Sequence, residues 1–129
     1  MAPKIVKADH EWRAILSPEA YRVTRQAGTE PPFSHPGFPS GPGHFNCVCC
    51  GARLFDADAR FESTCGWPSF SSPAGEIDEH RDTTHGMIRT EVRCQNCDAH
   101  LGHVFNDGPP PEGLRYCING VALTFVPEG

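Results

Sequence analysis

Four of the seven cysteines in this 129-residue chain stand in two Cys-x-x-Cys pairs, Cys47–Cys50 and Cys94–Cys97. Thiolates two residues apart can close on one tetrahedral ion, and two such pairs complete a four-sulfur zinc shell. The pairs are separated by 43 residues (51–93), beyond the roughly 15–20 of an ordinary zinc ribbon, so a substantial insertion lies between them. A competing set, Cys94, Cys97, His100 and His103, recurs every third residue. It strands Cys47 and Cys50 and crowds all four ligands into one short segment, so the four-cysteine site is preferred, with Gly51 supplying the tight knuckle. Cys49, Cys65 and Cys117 are left for other chemistry. Cys49, inside the first knuckle, reads as a bystander or a substitute ligand.

The stretch Leu114-Arg115-Tyr116-Cys117-Ile118-Asn119 reads as a strand. Period two puts Arg115, Cys117 and Asn119 on one face and the apolar residues on the other. A thiol beside a guanidinium is easier to ionise, and the thiolate is the nucleophile; the bland alternative is a small buried hydrophobe. A second run, His100-Leu101-Gly102-His103-Val104-Phe105-Asn106-Asp107, places His103 on a face with Leu101 and Phe105. An imidazole there could give a proton to an oxygen leaving a substrate, or could be a core histidine. The third piece, Cys65-Gly66-Trp67-Pro68-Ser69-Phe70, reads as a loop. Trp67 is an apolar contact for a small group or a lid on the core, and Cys65 a second redox thiol or inert.

The elements that must position these groups are short. Hydrophobic residues make up 38%, and Gly and Pro number 13 each, a composition that favours strands and turns over long helices. Ser17-Pro18-Glu19 opens a helix and Gly28 closes it, giving two short helices at about 9–16 and 18–26. A Pro/Gly-dense arm over 31–43 is expected to run over the surface. Strands follow, over 87–93 (Ile88, Thr90 and Val92 alternating with Arg89, Glu91 and Arg93), 101–105 and 121–126, with an emphatic turn at 106–111. The expectation is one domain over 1–129, its core about 9–126. A net charge of −5 with scattered Lys and Arg argues against a nucleic-acid partner. No apolar run reaches bilayer length, and Met1–Leu16 lacks a signal-peptide stretch. The setting expected is a reducing cytoplasm, away from membranes.

Taken together these segments closely resemble the methionine-R-sulfoxide reductases, the B class of methionine sulfoxide reductases. The resemblance rests on Tyr21-Arg22-Val23-Thr24, Gly28-Thr29-Glu30, the two knuckles with Gly51 and Leu54-Phe55, Cys65–Phe70, His85-Gly86-Met87, His100–Pro109 and Gly113–Asn119, and spans about residues 9–126. It implies a mainly β fold of two antiparallel sheets in a tent-like arrangement, with short N-terminal helices and one structural zinc ion on Cys47, Cys50, Cys94 and Cys97. It further implies that Cys117 is the nucleophile, Cys65 the resolving thiol, and Trp67, together with Phe105, the substrate contact. His103, His100, Asp107, Arg115 and Asn119 fall at the family's polar set. The activity implied is reduction of methionine R-sulfoxide, peptide-bound, through a sulfenic acid and a disulfide recycled by thioredoxin; a monomer is expected, though nothing in the sequence fixes the oligomeric state. Three departures are an extra thiol at Cys49, Gly120 in place of the commoner serine, and a shortened segment over 71–84. The rival reading is a non-catalytic zinc-ribbon binding module.

Overall fold

The computed structural model describes residues 5–31, 38, 41–61, 66–75, 77–83, 86–111 and 113–128. Two helices come first, α1 (Asp9–Ile15) and α2 (Pro18–Arg25). Ser17 caps α2 by accepting from the Ala20 N–H at 3.1 Å, and Pro18 sits at its first position, where no N–H is needed. Arg25 stacks its guanidinium 4.3 Å over the ring of buried Trp12, which ties α2 to α1. No helix among the described residues is long and apolar enough to cross a membrane. Most of the proline-rich arm (32–37, 39 and 40) lies outside the described residues. Phe38 within it packs edge-on against Phe45, with ring centroids 5.0 Å apart.

Eight strands follow: β1 (Gly43–Cys47), β2 (Arg53–Asp56), β3 (Ser69–Phe70), β4 (Ile77–Asp82), β5 (Arg89–Cys94), β6 (His100–Phe105), β7 (Arg115–Ile118) and β8 (Leu123–Pro127). They form two antiparallel sheets, β2-β1-β8 and β3-β7-β6-β5-β4. An aromatic cluster joins the sheets. Phe45 and Phe55 come from the smaller sheet and Phe70 from the larger; Phe55 stacks on Phe70 at 4.4 Å and Phe45 meets Phe70 edge-on at 5.1 Å. All three rings are fully buried, each removing enough apolar surface from water to stabilise the fold by about 1.5–3 kcal/mol.

The β5 region departs from the alternation read in the sequence. Ile88 lies before the strand and is 74% exposed, whereas Glu91, on the face assigned to solvent, is 7% exposed. The larger sheet explains this. Its two-residue period sets Glu91 opposite both His80 on β4 and His103 on β6, so the charged residues of β5 share a face with the histidines of β6. That face is a partly buried polar layer across the sheet, with Glu91 and His100 its buried members, and Val92, on the other side, is fully buried in the aromatic core.

Candidate functional site

Register places the chemistry. On β7 and β6, Cys117 lies opposite His103 and Arg115 opposite Phe105. On the other flank of β7, Cys117 lies opposite Ser69 of β3, which brings in the loop carrying Trp67. Gly102 lets the strands close: a Cβ built there would stand 2.0 Å from the Cys117 carbonyl oxygen. The result is a cavity of about 120 Å³ walled by Cys117, His103, Trp67, Phe105, Arg115 and Asn119. Six side chains singled out from three separate sequence segments therefore meet at one depression.

Each wall is held by a further partner. Arg115 donates to both carboxylate oxygens of Asp107, at 2.8 and 3.2 Å, and lies 4.6 Å over the Phe105 ring. Its hydrogen bond holds the Asp107 carboxyl below the usual range. Asp107 itself is exposed and stands outside the cavity wall. His103 Nε2 lies 2.8 Å from Asp82 Oδ2, which also accepts from Arg89 at 3.3 Å. Asn119 uses both ends of its amide on backbone, donating to the Leu101 carbonyl at 2.9 Å and accepting from the Glu30 N–H at 3.0 Å. The Glu30 carbonyl in turn accepts from Trp67 Nε1 at 2.9 Å, and its buried carboxylate accepts from the Gly120 N–H. Glu30 thus fixes the indole and the Asn119 amide to each other.

His100 occupies a different place. It is buried behind the wall, with Nδ1 2.6 Å from Glu91 Oε2, and Arg93 donates to the other Glu91 oxygen at 2.9 Å. Burial lowers the His100 pKa, only partly opposed by Glu91. Burial alone would raise Glu91, but the hydrogen bonds from Arg93 and His100 outweigh it and leave that carboxyl below its usual range. Cys65 lies outside the described residues. Thr29 and Arg89 also line the cavity and were not singled out from sequence, nor were Asp82, Glu91 and Glu30, which hold the wall from behind. For Asp82, Arg89 and Glu91 the only sequence signal is a charged residue at a strand position that falls beside His103 or His100 once the sheet forms; Thr29 and Glu30 had theirs in the Gly28-Thr29-Glu30 segment of the resemblance.

The knuckles assemble at the turn between β1 and β2 and at the turn between β5 and β6. They share one geometry. Gly51 N–H returns to the Cys47 carbonyl at 2.9 Å and Asp98 N–H to the Cys94 carbonyl at 2.8 Å. Both turn residues have positive φ, 79° at Gly51 and 66° at Asp98, a conformation that glycine and, less readily, aspartate adopt. Cys47 Sγ stands 3.7 Å from Cys97 Sγ, and Cys50 Sγ 3.6 Å from Cys94 Sγ; the ligand atoms of all four lie within 4.8 Å of one another. Sulfurs bound to zinc at about 2.3 Å in a tetrahedron sit about 3.8 Å apart, so the four cysteines fit such an ion closely. The Cys47 thiol is pushed up, first by its hydrogen bond with Cys49 and then by those with the other three; four thiolates this close need a cation. Cys49 turns its Sγ to Thr24 Oγ1 of α2, at 3.3 Å, and Arg25 donates to the Cys97 carbonyl at 2.9 Å, so α2 backs this end of the molecule. Asp78, His80 and Asp98 also bring possible ligand atoms together, but Arg93 faces Asp78 across the strands and is within electrostatic reach of both aspartates. The positive charge there is already supplied by the protein.

Comparison with known proteins gives one consistent answer. The model of the SelR domain matches residues 16–127. Proteins named peptide methionine sulfoxide reductase MsrB are similar over nearly the whole chain. The one from Agrobacterium fabrum is 53% identical, covering 98% of this chain and 96% of its own length. That from Pseudomonas fluorescens is 57% identical, covering 97% and 98%, and that from Acinetobacter baumannii 56% identical, covering 93% and 88%.

Proposed function

The chain belongs to the SelR-domain family of MsrB peptide methionine sulfoxide reductases, and on that premise we propose that it reduces the R epimer of peptide-bound methionine sulfoxide with Cys117 as nucleophile. It is an oxidoreductase rather than the non-catalytic module considered as its rival. The observation carrying the reading is the pairing of Cys117 with His103 across β7 and β6 at the wall of one small cavity.

In this scheme the Cys117 thiolate attacks the sulfoxide sulfur while His103 delivers a proton to the oxygen. The sulfur–oxygen bond of the substrate breaks, methionine leaves reduced, and Cys117 is oxidised to a sulfenic acid. A positioned acid contributes roughly 100- to 10,000-fold to such a step, because otherwise the oxygen must carry anionic charge. His103 is the first choice because it lines the cavity, whereas His100 is buried behind it and held to Glu91. Trp67 and Phe105 give the methyl group apolar contact, and Arg115, fixed by Asp107, presents its cation to the cavity that holds Cys117. Asn119 shapes the wall while its amide serves backbone. At about 120 Å³ the cavity suits the end of one side chain rather than a peptide. The rest of the substrate stays outside, which suits a side chain presented by a peptide.

The Cys65 thiol then condenses with the sulfenic acid, releasing water and forming a disulfide that thioredoxin reopens by thiol exchange. Cys65 precedes Trp67 by two residues, and Trp67 shares the cavity with Cys117, which supports this role. Zinc would be held by Cys47, Cys50, Cys94 and Cys97, where four thiolates leave it no open position and confine it to bracing the two sheets. The test is single-turnover reduction of a methionine sulfoxide peptide, with thiols counted by mass. Cys117→Ser should form no methionine and Cys65→Ser one per enzyme. Methionine formation by the Cys117 variant would overturn the assignment.

A further inference from the structure

We propose that Asp82 is a positioning residue for catalysis, fixing His103 in the tautomer whose Nδ1 serves the cavity; this rests on His103 being the acid proposed above. The two residues are 21 apart in sequence, on strands that do not adjoin: Asp82 ends β4 at the sheet edge and reaches diagonally past β5 to β6. An ionised carboxylate only accepts, so at 2.8 Å the Nε2 of His103 must carry the hydrogen. In the neutral ring Nδ1 is then the basic nitrogen, and protonation there gives an imidazolium with one N–H committed to Asp82 and the other available for transfer. This is the same division of labour by which a buried aspartate orients the histidine of hydrolase triads.

The charges around His103 favour this arrangement. Asp82 has a side chain only 14% exposed and is itself held by Arg89, its cross-strand partner, at 3.3 Å. Glu91 faces His103 from β5, but its two oxygens are engaged by His100 and Arg93. His100, on the same strand, stands edge-on with ring centroids 5.7 Å apart. Cys117 faces His103 from β7, and Arg115 and Arg89 share the cavity wall. Among these groups Asp82 is the carboxylate in hydrogen-bond contact with the His103 ring. Asp82 does not line the cavity, so its influence on substrate passes through His103.

The experiment compares the parent enzyme with Asp82→Asn, Asp82→Glu and His103→Gln in pre-steady-state reduction of a methionine sulfoxide peptide. Loss of the carboxylate removes the acceptor that holds the hydrogen on Nε2 and the ring in place. Asp82→Asn should therefore lower the rate of the sulfoxide step about 10- to 100-fold, with KM unchanged. Asp82→Glu should recover part of that rate. An Asp82→Asn enzyme with an unchanged rate, beside a slow His103→Gln enzyme, overturns the role of Asp82 and leaves His103 as acid. A His103→Gln enzyme as fast as the parent overturns the acid assignment and this inference with it. A fall in rate that merely follows the folded fraction makes Asp82 structural and also overturns it. A measurement on the parent protein needs no variant to fold: nitrogen-15 spectra of the His103 ring should show hydrogen on Nε2 in the neutral form, and an Nδ1–H tautomer refutes the proposal.

Discussion

Gly102→Ala tests whether the spacing of β6 and β7 sets both stability and reactivity. The added Cβ would lie 2.0 Å from the Cys117 carbonyl oxygen and 3.0 Å from both Cys117 C and Ile118 Cα. All three are backbone atoms, so no side chain can swing away, and the strands must separate by about 1 Å or more. Overpacking of this kind costs about 1–3 kcal/mol, or a fall in Tm of about 3–12 °C at about 3–4 °C per kcal/mol for a chain this size. The larger effect falls on the reaction. The displaced bonds are those that hold His103 opposite Cys117, and a shift of about 1 Å in reacting groups costs about 100-fold. Thermal melting followed by circular dichroism and single-turnover reduction of a methionine sulfoxide peptide, at a temperature where both proteins are folded, separate the two effects. An alanine variant that melts within about 1 °C of the parent and reacts within about twofold of it would refute the reasoning, because it would show that the close approach is not what positions the thiol.

Three further outcomes follow from the same geometry. Burial holds His100 below its ordinary pKa, and Arg93 and His100 hold Glu91 below its own. Both groups bind protons more readily unfolded, so their stabilisation is present near neutrality; that of His100 fades as pH falls below 6.5 and that of Glu91 as it falls below 4.5, the ordinary values from which each is lowered. Glu91→Gln should flatten the acid side of a Tm-against-pH curve, and an unchanged slope would count against it. Cys49→Ser should retain one metal ion per chain by elemental analysis, because its sulfur is not among the four clustered ligand atoms and donates to Thr24, whereas Cys50→Ser should lose it. Chelation of the metal should lower Tm by 10 °C or more on the about 10 kcal/mol that structural zinc can supply in small modules; an unchanged Tm after verified metal loss would remove the ion from the folding balance.

The most legible parts of the chain were those whose chemistry is local. Ser17-Pro18 marks a helix start by itself, and the helices expected at about 9–16 and 18–26 run Asp9–Ile15 and Pro18–Arg25. The two knuckles could be read from spacing alone because each is one turn. The polar face of Arg115 and Cys117 is a period-two fact within four residues, and both stand at the cavity. What could not be read depends on contacts across the sheet. β4 (Ile77–Asp82) has the sequence IDEHRD, with no apolar alternation, because one of its faces meets the charged face of β5. Asp82, and the burial of Glu91, become meaningful only once β4, β5 and β6 are in register. Glu30 sits beside a proline-rich arm and looks like a surface acid, yet it is 2% exposed, since the N–H of Gly120, 90 residues on, supplies its hydrogen bond.

The closeness of Cys47 to Cys97 and of Cys50 to Cys94, 3.7 and 3.6 Å, has a further consequence for a protein whose work is to meet oxidants. In the proposed mechanism, oxidation at Cys117 belongs to each cycle and is undone. Oxidation at the brace would instead couple sulfurs from opposite sheets, converting an exchangeable clasp into a covalent one and releasing whatever ion it held. Unlike the reacting thiol of the proposed cycle, a brace closed in this way has no turnover to reopen it.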